Sequence, residues 1–387
     1  MVTDTRSDGP WKEVEYEGYD PLLIVDLKIH MLGKTFDVPC HGGRPSNGLL
    51  RIITEDGVEG WSSDISPDLA YILAGEYKGF SVREHLIGRD ALDRERIWHD
   101  MLMGQRLFKF PKDLRGAIDI ALWDIAGKHL GLPVWRLLGA CRDKVPAYTT
   151  QGGVHAPEGT TIEHFVNFAL KAQADGFLGS KDHCNVGPEF MIKLAEILRD
   201  EVGPDFHLMH DAVQYYDLNE AIRVGKALEE NGFTWFEEPV RDQDFRSLKK
   251  LREAVGIPVV AGENFPHHIH SYGQMLAMGA VDGIKPSVVS GGITETQKLA
   301  DLTNAFGADI HVQLGGSMWG FATIHANGGI ENLVMLEVHE NRASRIYPPI
   351  KNPLRQIDGY VRMPEGPGLG IDLDWDMVQE DTIEIIE

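Results

Sequence analysis

Residues 206–264 read FHLMHDAVQYYDLNEAIRVGKALEENGFTWFEEPVRDQDFRSLKKLREAVGIPVVAGEN. Three short segments rich in apolar and β-forming residues occur in this stretch, at 206–211, 233–237 and 258–263. The residues between them place apolar side chains at three- and four-residue spacing, which is the pattern of a helix with one buried face. Strands that alternate with helices predict successive βα units.

The same alternation extends through most of the chain, and it predicts eight strands whose starts lie 23 to 32 residues apart. Eight evenly spaced βα units favour a closed α/β barrel over an open, doubly wound sheet. The predicted strands are 145–150, 177–181, 206–211, 233–237, 258–263, 281–285, 309–313 and 333–338.

The two ends of the chain have a different pattern. Segments 24–30 and 48–54 resemble antiparallel strands, and helix-like stretches follow them up to residue 139. We therefore predict a smaller α+β domain over 1–140 and the barrel over 141–350. Residues 351–387 are rich in Pro, Gly and acids, and we expect loops with short strands there.

Composition excludes several classes of protein. The 387 residues include 37 Lys and Arg against 59 Asp and Glu, a formal net charge of −22. This acidity argues against a nucleic-acid or anionic-membrane partner. The polar N-terminus shows no secretory signal and no apolar run is long enough for a membrane helix, so we expect a cytoplasmic protein. Cys40, Cys141 and Cys184 form no spaced pair, which fits a reducing compartment.

Three carboxylates stand at the predicted strand ends. Asp211, Glu237 and Glu263 follow one another at intervals of 26 residues, one βα unit each. Side chains at the C-terminal strand ends of such a barrel converge on one face, where three carboxylates repel unless a cation neutralises them. Mg²⁺ prefers such oxygen ligands. Glu238 competes with Glu237 for this role, because the sequence does not say which of them faces inward.

Residues 115–139, RGAIDIALWDIAGKHLGLPVWRLLG, resemble a signature of the enolase superfamily in its mandelate racemase and muconate-lactonizing branch. Asp211, the EEP of 237–239, the GEN of 262–264 and the GGI of 291–293 match the same branch. The resemblance implies a modified (β/α)7β TIM-type barrel with an α+β capping domain built from both termini. It also implies that segments 30–47 and 61–73 cap the substrate.

The resemblance further implies the chemistry. The shared step of this family is removal of the proton α to a carboxylate, with Asp211, Glu237 and Glu263 as Mg²⁺ ligands. The family usually carries Lys-x-Lys at the end of its second barrel strand, whereas this chain has Lys181-Asp-His183. We therefore assign Lys181 to electrostatic support and His183 to the base, and the neighbouring Lys⁺ is expected to favour neutral His183. The alternative is that His183 is a loop histidine without a catalytic role.

The opposite side of the site departs further from the family. The racemase branch pairs a His on strand seven with an Asp on strand six, but here Ser287 and Gln313 stand near those positions. Lys285 resembles instead the strand-six Lys of the muconate-lactonizing group. His311 lies two residues before Gln313, and residues two apart in a strand lie on the same face. His311 therefore either faces the pocket together with Gln313 or has a structural role. Predicted catalytic candidates on this side are thus Lys285 and His311.

Five further residues are candidates for substrate binding. Two belong to a glycine-rich segment, CHGGRP, that we expect to cap the site, and the others follow predicted strands. They are His41, Arg44, Asn264, Ser287 and Gln313.

These features predict a Mg²⁺-dependent lyase or isomerase acting on a small-molecule carboxylate. Dehydration of a sugar acid to a 2-keto-3-deoxy acid is the first choice. The alternatives are a racemase, epimerase or cycloisomerase on a hydroxycarboxylate or lactone, and a homologue that binds metal but is catalytically silent. Such barrels commonly self-associate, so we expect a homo-oligomer.

Overall fold

The computed structural model describes residues 18–33, 48–151, 160–263, 265, 269–314, 317–339 and 350–387. Within these ranges no helix is both long enough and apolar enough to cross a membrane.

The N-terminal region forms a four-stranded antiparallel sheet. Strands β1 (Ile24–Leu32), β2 (Gly48–Thr54) and β3 (Glu59–Ile65) follow one another in the chain and pair in that order. The last strand of the chain, Thr382–Ile386, pairs with the free side of β1. Both ends of the chain therefore contribute to one sheet.

Helices and one short hairpin follow this sheet. They are α1 (Pro67–Ala74), β4 (Glu76–Tyr77), β5 (Phe80–Ser81), α2 (Val82–Leu86), α3 (Arg94–Phe108), α4 (Asp113–His129) and α5 (Val134–Leu137).

Helix α4 connects the sheet to the barrel through very close backbone approaches. A Cβ atom on Gly60 would lie 2.0 Å from the carbonyl oxygen of Ala121 in α4. A Cβ on Gly116 of α4 would lie 1.9 Å from the carbonyl oxygen of Val289 in the barrel region. Only glycine allows such approaches, so α4 is packed tightly between the two parts.

The predicted barrel is confirmed. Eight parallel strands pair in chain order, and the last pairs with the first to close the barrel. The strands are β6 (Lys144–Thr150), β7 (Gly179–Asp182), β8 (His207–Asp211), β9 (Trp235–Glu237), β10 (Val259–Ala261), β11 (Gly283–Ile284), β12 (Asp309–Leu314) and β13 (Leu333–His339).

One helix follows each of the first seven barrel strands, so the (β/α)7β architecture is confirmed as well. The helices are α6 (Ile162–Ala174), α7 (Pro188–Val202), α8 (Leu218–Glu230), α9 (Phe245–Ala254), α10 (Ile269–Ala277), α11 (Val288–Ala305) and α12 (Ser317–Gly328).

Side-chain alternation along the strands separates the barrel interior from the layer under the helices. Tyr148, Met209 and Trp235 belong to a small apolar cluster inside the barrel. Leu208 and Phe236, their neighbours in sequence, belong to the large cluster that includes the surrounding helices. This alternation decides which residue at each strand end faces the pocket.

The C-terminal segment is more ordered than the sequence suggested. It contains β14 (Gln356–Ile357), β15 (Tyr360–Arg362), helix α13 (Trp375–Asp381) and β16 (Thr382–Ile386). Strand β15 pairs antiparallel with the first half of β6, beneath the site. Helix α13 was not expected, because seven residues are too few to show a helical period. The domain boundaries at 140 and 350 stay predictions.

Candidate active site

The three predicted carboxylates lie together. Asp211 ends β8, Glu237 ends β9 and Glu263 follows β10, and one oxygen from each lies within 4.8 Å of the others. Asp211 and Glu237 are buried, while Glu263 is partly exposed. Carboxylates this close and this buried are a suitable ligand set for a hard cation.

Glu237, not Glu238, belongs to this cluster. Trp235 lies inside the barrel and donates its indole N–H to Glu237 Oε2 at 3.0 Å. Glu238 has a left-handed backbone conformation (φ +40°) and accepts the backbone N–H of Glu263 at 3.0 Å. Glu238 therefore orients the segment that carries Glu263.

Two buried lysines neutralise part of the cluster. Lys181 Nζ lies 2.7 Å from Glu237 Oε1 and 3.3 Å from Asp211 Oδ2. Lys285 Nζ lies 2.5 Å from the same Glu237 oxygen. Burial on its own lowers the pKa of each lysine, but the carboxylates, Glu237 foremost, raise both pKa values above the ordinary range. Both side chains therefore remain charged.

Glu337 on β13 is a member of the cluster that sequence reasoning missed. Its Oε2 accepts from Lys181 Nζ at 3.1 Å, from Lys285 Nζ and from the Tyr148 hydroxyl at 3.0 Å. A signal was present, because a Glu in the middle of the apolar strand LVMLEVH requires a charged partner if it is buried.

The charges of the cluster favour a divalent cation. Two ammonium groups face four carboxylates, so the formal charge is 2 − 4 = −2 when His183 is neutral. One dication with oxygen ligands would balance this charge, and Mg²⁺ has that chemistry.

His183 lies at the edge of the cluster, just beyond the end of β7. Its Nε2 is 3.1 Å from Asp211 Oδ2, and its Nδ1 is 2.7 Å from the backbone oxygen of Gln151. Burial and Lys181 lower the pKa of His183, but the charge of Asp211 and its hydrogen bond raise it above the ordinary value. Lys181 thus favours the neutral form, as expected, but Asp211 has the larger effect, so the net shift of the His183 pKa is upward.

His311 lies inside the barrel rather than at its mouth. Its ring centroid is 4.6 Å from that of Trp235, and its side chain is buried. Burial, together with Lys285 and Lys181, lowers the pKa of His311 to about 3. His311 is therefore neutral near pH 7.

The five candidates for substrate binding lie in several parts of the chain. Ser287 is the N-cap residue of α11 and is partly buried. Gln313 lies in β12 by its backbone. His41, Arg44 and Asn264 lie outside the described residues. Substrate binding by these five residues stays a prediction.

Comparison with known proteins identifies the family. Residues 44–139 match the model of the mandelate racemase/muconate lactonizing enzyme N-terminal domain, and residues 164–377 match that of the enolase C-terminal domain-like family. The D-galactarolactone cycloisomerase of Agrobacterium fabrum is 30% identical, over 93% of this chain and 98% of that protein. A D-mannonate dehydratase of Caulobacter vibrioides is 29% identical, over 85% of this chain and 89% of that protein.

Solved structures agree with these matches. D-glucarate dehydratase from Agrobacterium tumefaciens, complexed with magnesium, is 29% identical with a TM-score of 0.83, covering 94% of this chain and all (100%) of that chain. A mandelate racemase/muconate lactonizing protein from Paracoccus denitrificans, also complexed with magnesium, is 27% identical with a TM-score of 0.79. The match covers 93% of this chain and 98% of that chain. The chain therefore belongs to the mandelate racemase and muconate-lactonizing branch of the enolase superfamily.

Proposed function

We propose that this protein is a Mg²⁺-dependent enzyme that removes the proton α to a carboxylate and dehydrates a sugar acid to a 2-keto-3-deoxy acid. The observation that carries the proposal is the position of His183, a base held 3.1 Å from the carboxylate cluster on one side and by a backbone carbonyl on the other. Relatives named as dehydratases of D-mannonate and D-glucarate support the choice of substrate class.

Asp211, Glu237 and Glu263 would hold the Mg²⁺ ion, which when bound supplies a Lewis acid for the substrate carboxylate. The net charge of −2 on the surrounding cluster when His183 is neutral supports this assignment.

In its neutral form, His183 donates its Nδ1 proton to the carbonyl of Gln151, and the lone pair on Nε2, the nitrogen beside Asp211, accepts a proton. The ordinary pKa of an imidazole lies near neutral pH, which suits a base that works there. The ammonium groups of Lys181 and Lys285 stabilise the negative charge that develops on the substrate carboxylate as the C–H bond breaks.

Elimination also needs a proton for the leaving group. The α-proton passes to His183, the β-hydroxyl takes a proton and leaves as water, and the resulting enol becomes the 2-keto acid. His183 can return the proton that it took if both groups leave from one face. Lys285 is the other donor within reach of the cluster, whereas His311, with a pKa of about 3, is neutral near pH 7 and therefore a poor acid.

A cycloisomerase or epimerase is the second candidate. His183 follows the second strand of the eight-stranded barrel and Lys285 follows the sixth, so the two groups stand on opposite sides of the barrel. Such opposed groups suit reactions that remove a proton from one face and deliver one to the other. The relative that acts as a D-galactarolactone cycloisomerase supports this alternative.

The first experiment incubates the purified protein with Mg²⁺ and a panel of sugar acids and lactones in D₂O, followed by proton NMR. Loss of an α-proton signal with formation of a 2-keto-3-deoxy product supports dehydration. Loss of the signal without net product, or opening of a lactone, supports the second candidate. Mg²⁺ binding without exchange on any acid in the panel would instead support a silent homologue.

His183→Ala is the first variant to test. We expect the exchange rate to fall by about 10²–10⁴-fold, while Mg²⁺ affinity measured by calorimetry is not weakened. The matched control is His99→Ala, an exposed histidine on α3, which should keep the wild-type rate. Full activity of His183→Ala would show that another residue is the base.

A further inference from the structure

Another histidine–carboxylate pair lies on the outer side of the barrel, directly behind the site. Asp182 on β7 and His210 on β8 are partners in the strand register. His210 Nδ1 lies 2.7 Å from Asp182 Oδ1, and the two side chains are 0% and 7% exposed. Since the neighbouring residues Lys181 and Asp211 face inward, this pair faces the layer under the helices.

The pair has a defined set of contacts. Tyr216 Oη lies 3.2 Å from His210 Nε2, and the His210 ring stacks on Phe236 with centroids 5.4 Å apart. Asp182 Oδ1 also accepts the backbone N–H of Cys184 at 3.0 Å. Among the described residues, Asp182 Oδ2 has no hydrogen-bond partner.

If it served only to stabilise the fold, this arrangement would be unfavourable in free energy. A buried carboxylate with one unpartnered oxygen costs free energy, and apolar residues of similar volume often replace a buried ionisable pair with no loss of stability. The surrounding layer is apolar, so the polar pair calls for an explanation other than packing.

The positions of the pair in the chain supply that explanation. Asp182 lies between Lys181 and His183, and His210 directly precedes Asp211. The register of β7 and β8 ends at Asp182 and His210, so His183 lies beyond the last paired residues. The Asp182–His210 hydrogen bond therefore ties together the two strand ends that carry His183 and Asp211.

We propose that Asp182 and His210 are positioning residues that hold the His183 imidazole in its orientation beside Asp211. This inference rests on the proposed function of His183 as the base. A misplacement of about 1 Å at a catalytic group can cost on the order of 10²-fold in rate.

The test compares apolar and polar replacements of the pair. Asp182→Leu combined with His210→Leu removes the hydrogen bond without leaving a buried charge unpaired, so the fold should persist. We expect kcat to fall by about 10–100-fold while KM changes by less than about 3-fold. Asp182→Asn keeps an oxygen that accepts the same two N–H groups, and it should keep kcat within about 3-fold of wild type.

A readout that does not depend on turnover separates this inference from the proposed function. In protein labelled with ¹³C at histidine Cε1, the His183 resonance is assigned by its loss in His183→Ala. We expect this resonance to shift in the double variant Asp182→Leu/His210→Leu, called here the leucine pair variant. It should stay in place in Asp182→Asn. If wild type turns over no acid, the proposed function fails, but the resonance still tests the positioning.

A milder variant covers the case in which the leucine pair does not fold. Tyr216→Phe removes only the hydrogen bond to His210 Nε2 and keeps the ring in the apolar layer. We expect it to move the His183 resonance by a smaller amount in the same direction. An unchanged resonance in both variants, or unchanged kcat in a folded leucine pair variant, would overturn the proposal.

Discussion

At the scale of single residues, Glu337 decides the charge balance of the cluster. It accepts hydrogen bonds from both buried lysines and from Tyr148. Glu337→Gln keeps the volume and replaces the carboxylate shared by both lysines with a neutral amide, while Asp211, Glu237 and Glu263 still balance the lysine charges. We expect the free energy of unfolding to fall by about 1.5–3 kcal/mol, the range for a hydrogen bond to a charged group.

Urea denaturation at about pH 7 measures this loss. Tyr148→Phe is the matched control, since it removes one neutral donor to the same oxygen and should cost only about 1 kcal/mol. Equal losses in the two variants would mean that Glu337 acts as an ordinary hydrogen-bond acceptor and not as the counter-charge of the lysines.

The same residues show which parts of the site could be predicted from the sequence. Asp211, Glu237 and Glu263 were predictable because each stands at or just after a strand end at the same interval along the chain, and a barrel brings such strand ends close together. Glu337 was missed because a lone Glu in a strand also suits an exposed face. The effect of Lys181 on the His183 pKa was predicted correctly, but the larger, upward effect of Asp211 was not, because the distance between His183 and Asp211 depends on how far the chain continues beyond β7.

At the scale of elements, the contact between α4 and α11 contains a buried carboxylate. Asp119 on α4 accepts the hydroxyl of Thr294 at 2.5 Å and its backbone N–H at 3.0 Å. Burial raises the pKa of Asp119 from 3.8 to about 6, although Thr294 and Arg94 lower it. The folded-state pKa lies above the unfolded value, so protonation stabilises the fold. This contribution is complete below about pH 4 and is lost as the pH rises through about 6.

Asp119→Asn removes this titration, and the asparagine amide can still bond to Thr294. The total effect of the shift is about 3 kcal/mol. Between about pH 4.5 and 7.5, the stability of the variant should therefore rise by about 2 kcal/mol relative to wild type. Urea denaturation at several pH values checks this. Parallel pH profiles of the two proteins would contradict it.

Element prediction failed where local signals were weak. All eight barrel strands were found, but α13 is too short to show a period. Helix α11 contains a break at Gly292, where φ is +79° and a Cβ would lie 2.2 Å from Asp119 Oδ2. That break follows from the packing against α4, which no pattern within the segment itself could reveal.

At the scale of the whole molecule, two effects of added salt must be separated. A net charge of −22 makes the folded chain repel itself, so any salt should raise its melting temperature by screening. A specific Mg²⁺ site adds a stabilisation of about 2.7 kcal/mol when the ion is at 100 times its dissociation constant. We therefore expect MgCl₂ at about 10 mM to raise the melting temperature more than NaCl of equal ionic strength.

Glu263→Gln provides the control for this experiment, because Glu263 is the most exposed carboxylate of the three and its replacement should disturb the fold least. Both proteins should respond equally to NaCl, since their net charges differ by only one. Wild type alone should show the additional Mg²⁺ effect. If the variant shows the same extra rise, Mg²⁺ acts on the acidic surface as a whole, and the carboxylate cluster at the strand ends is not its site.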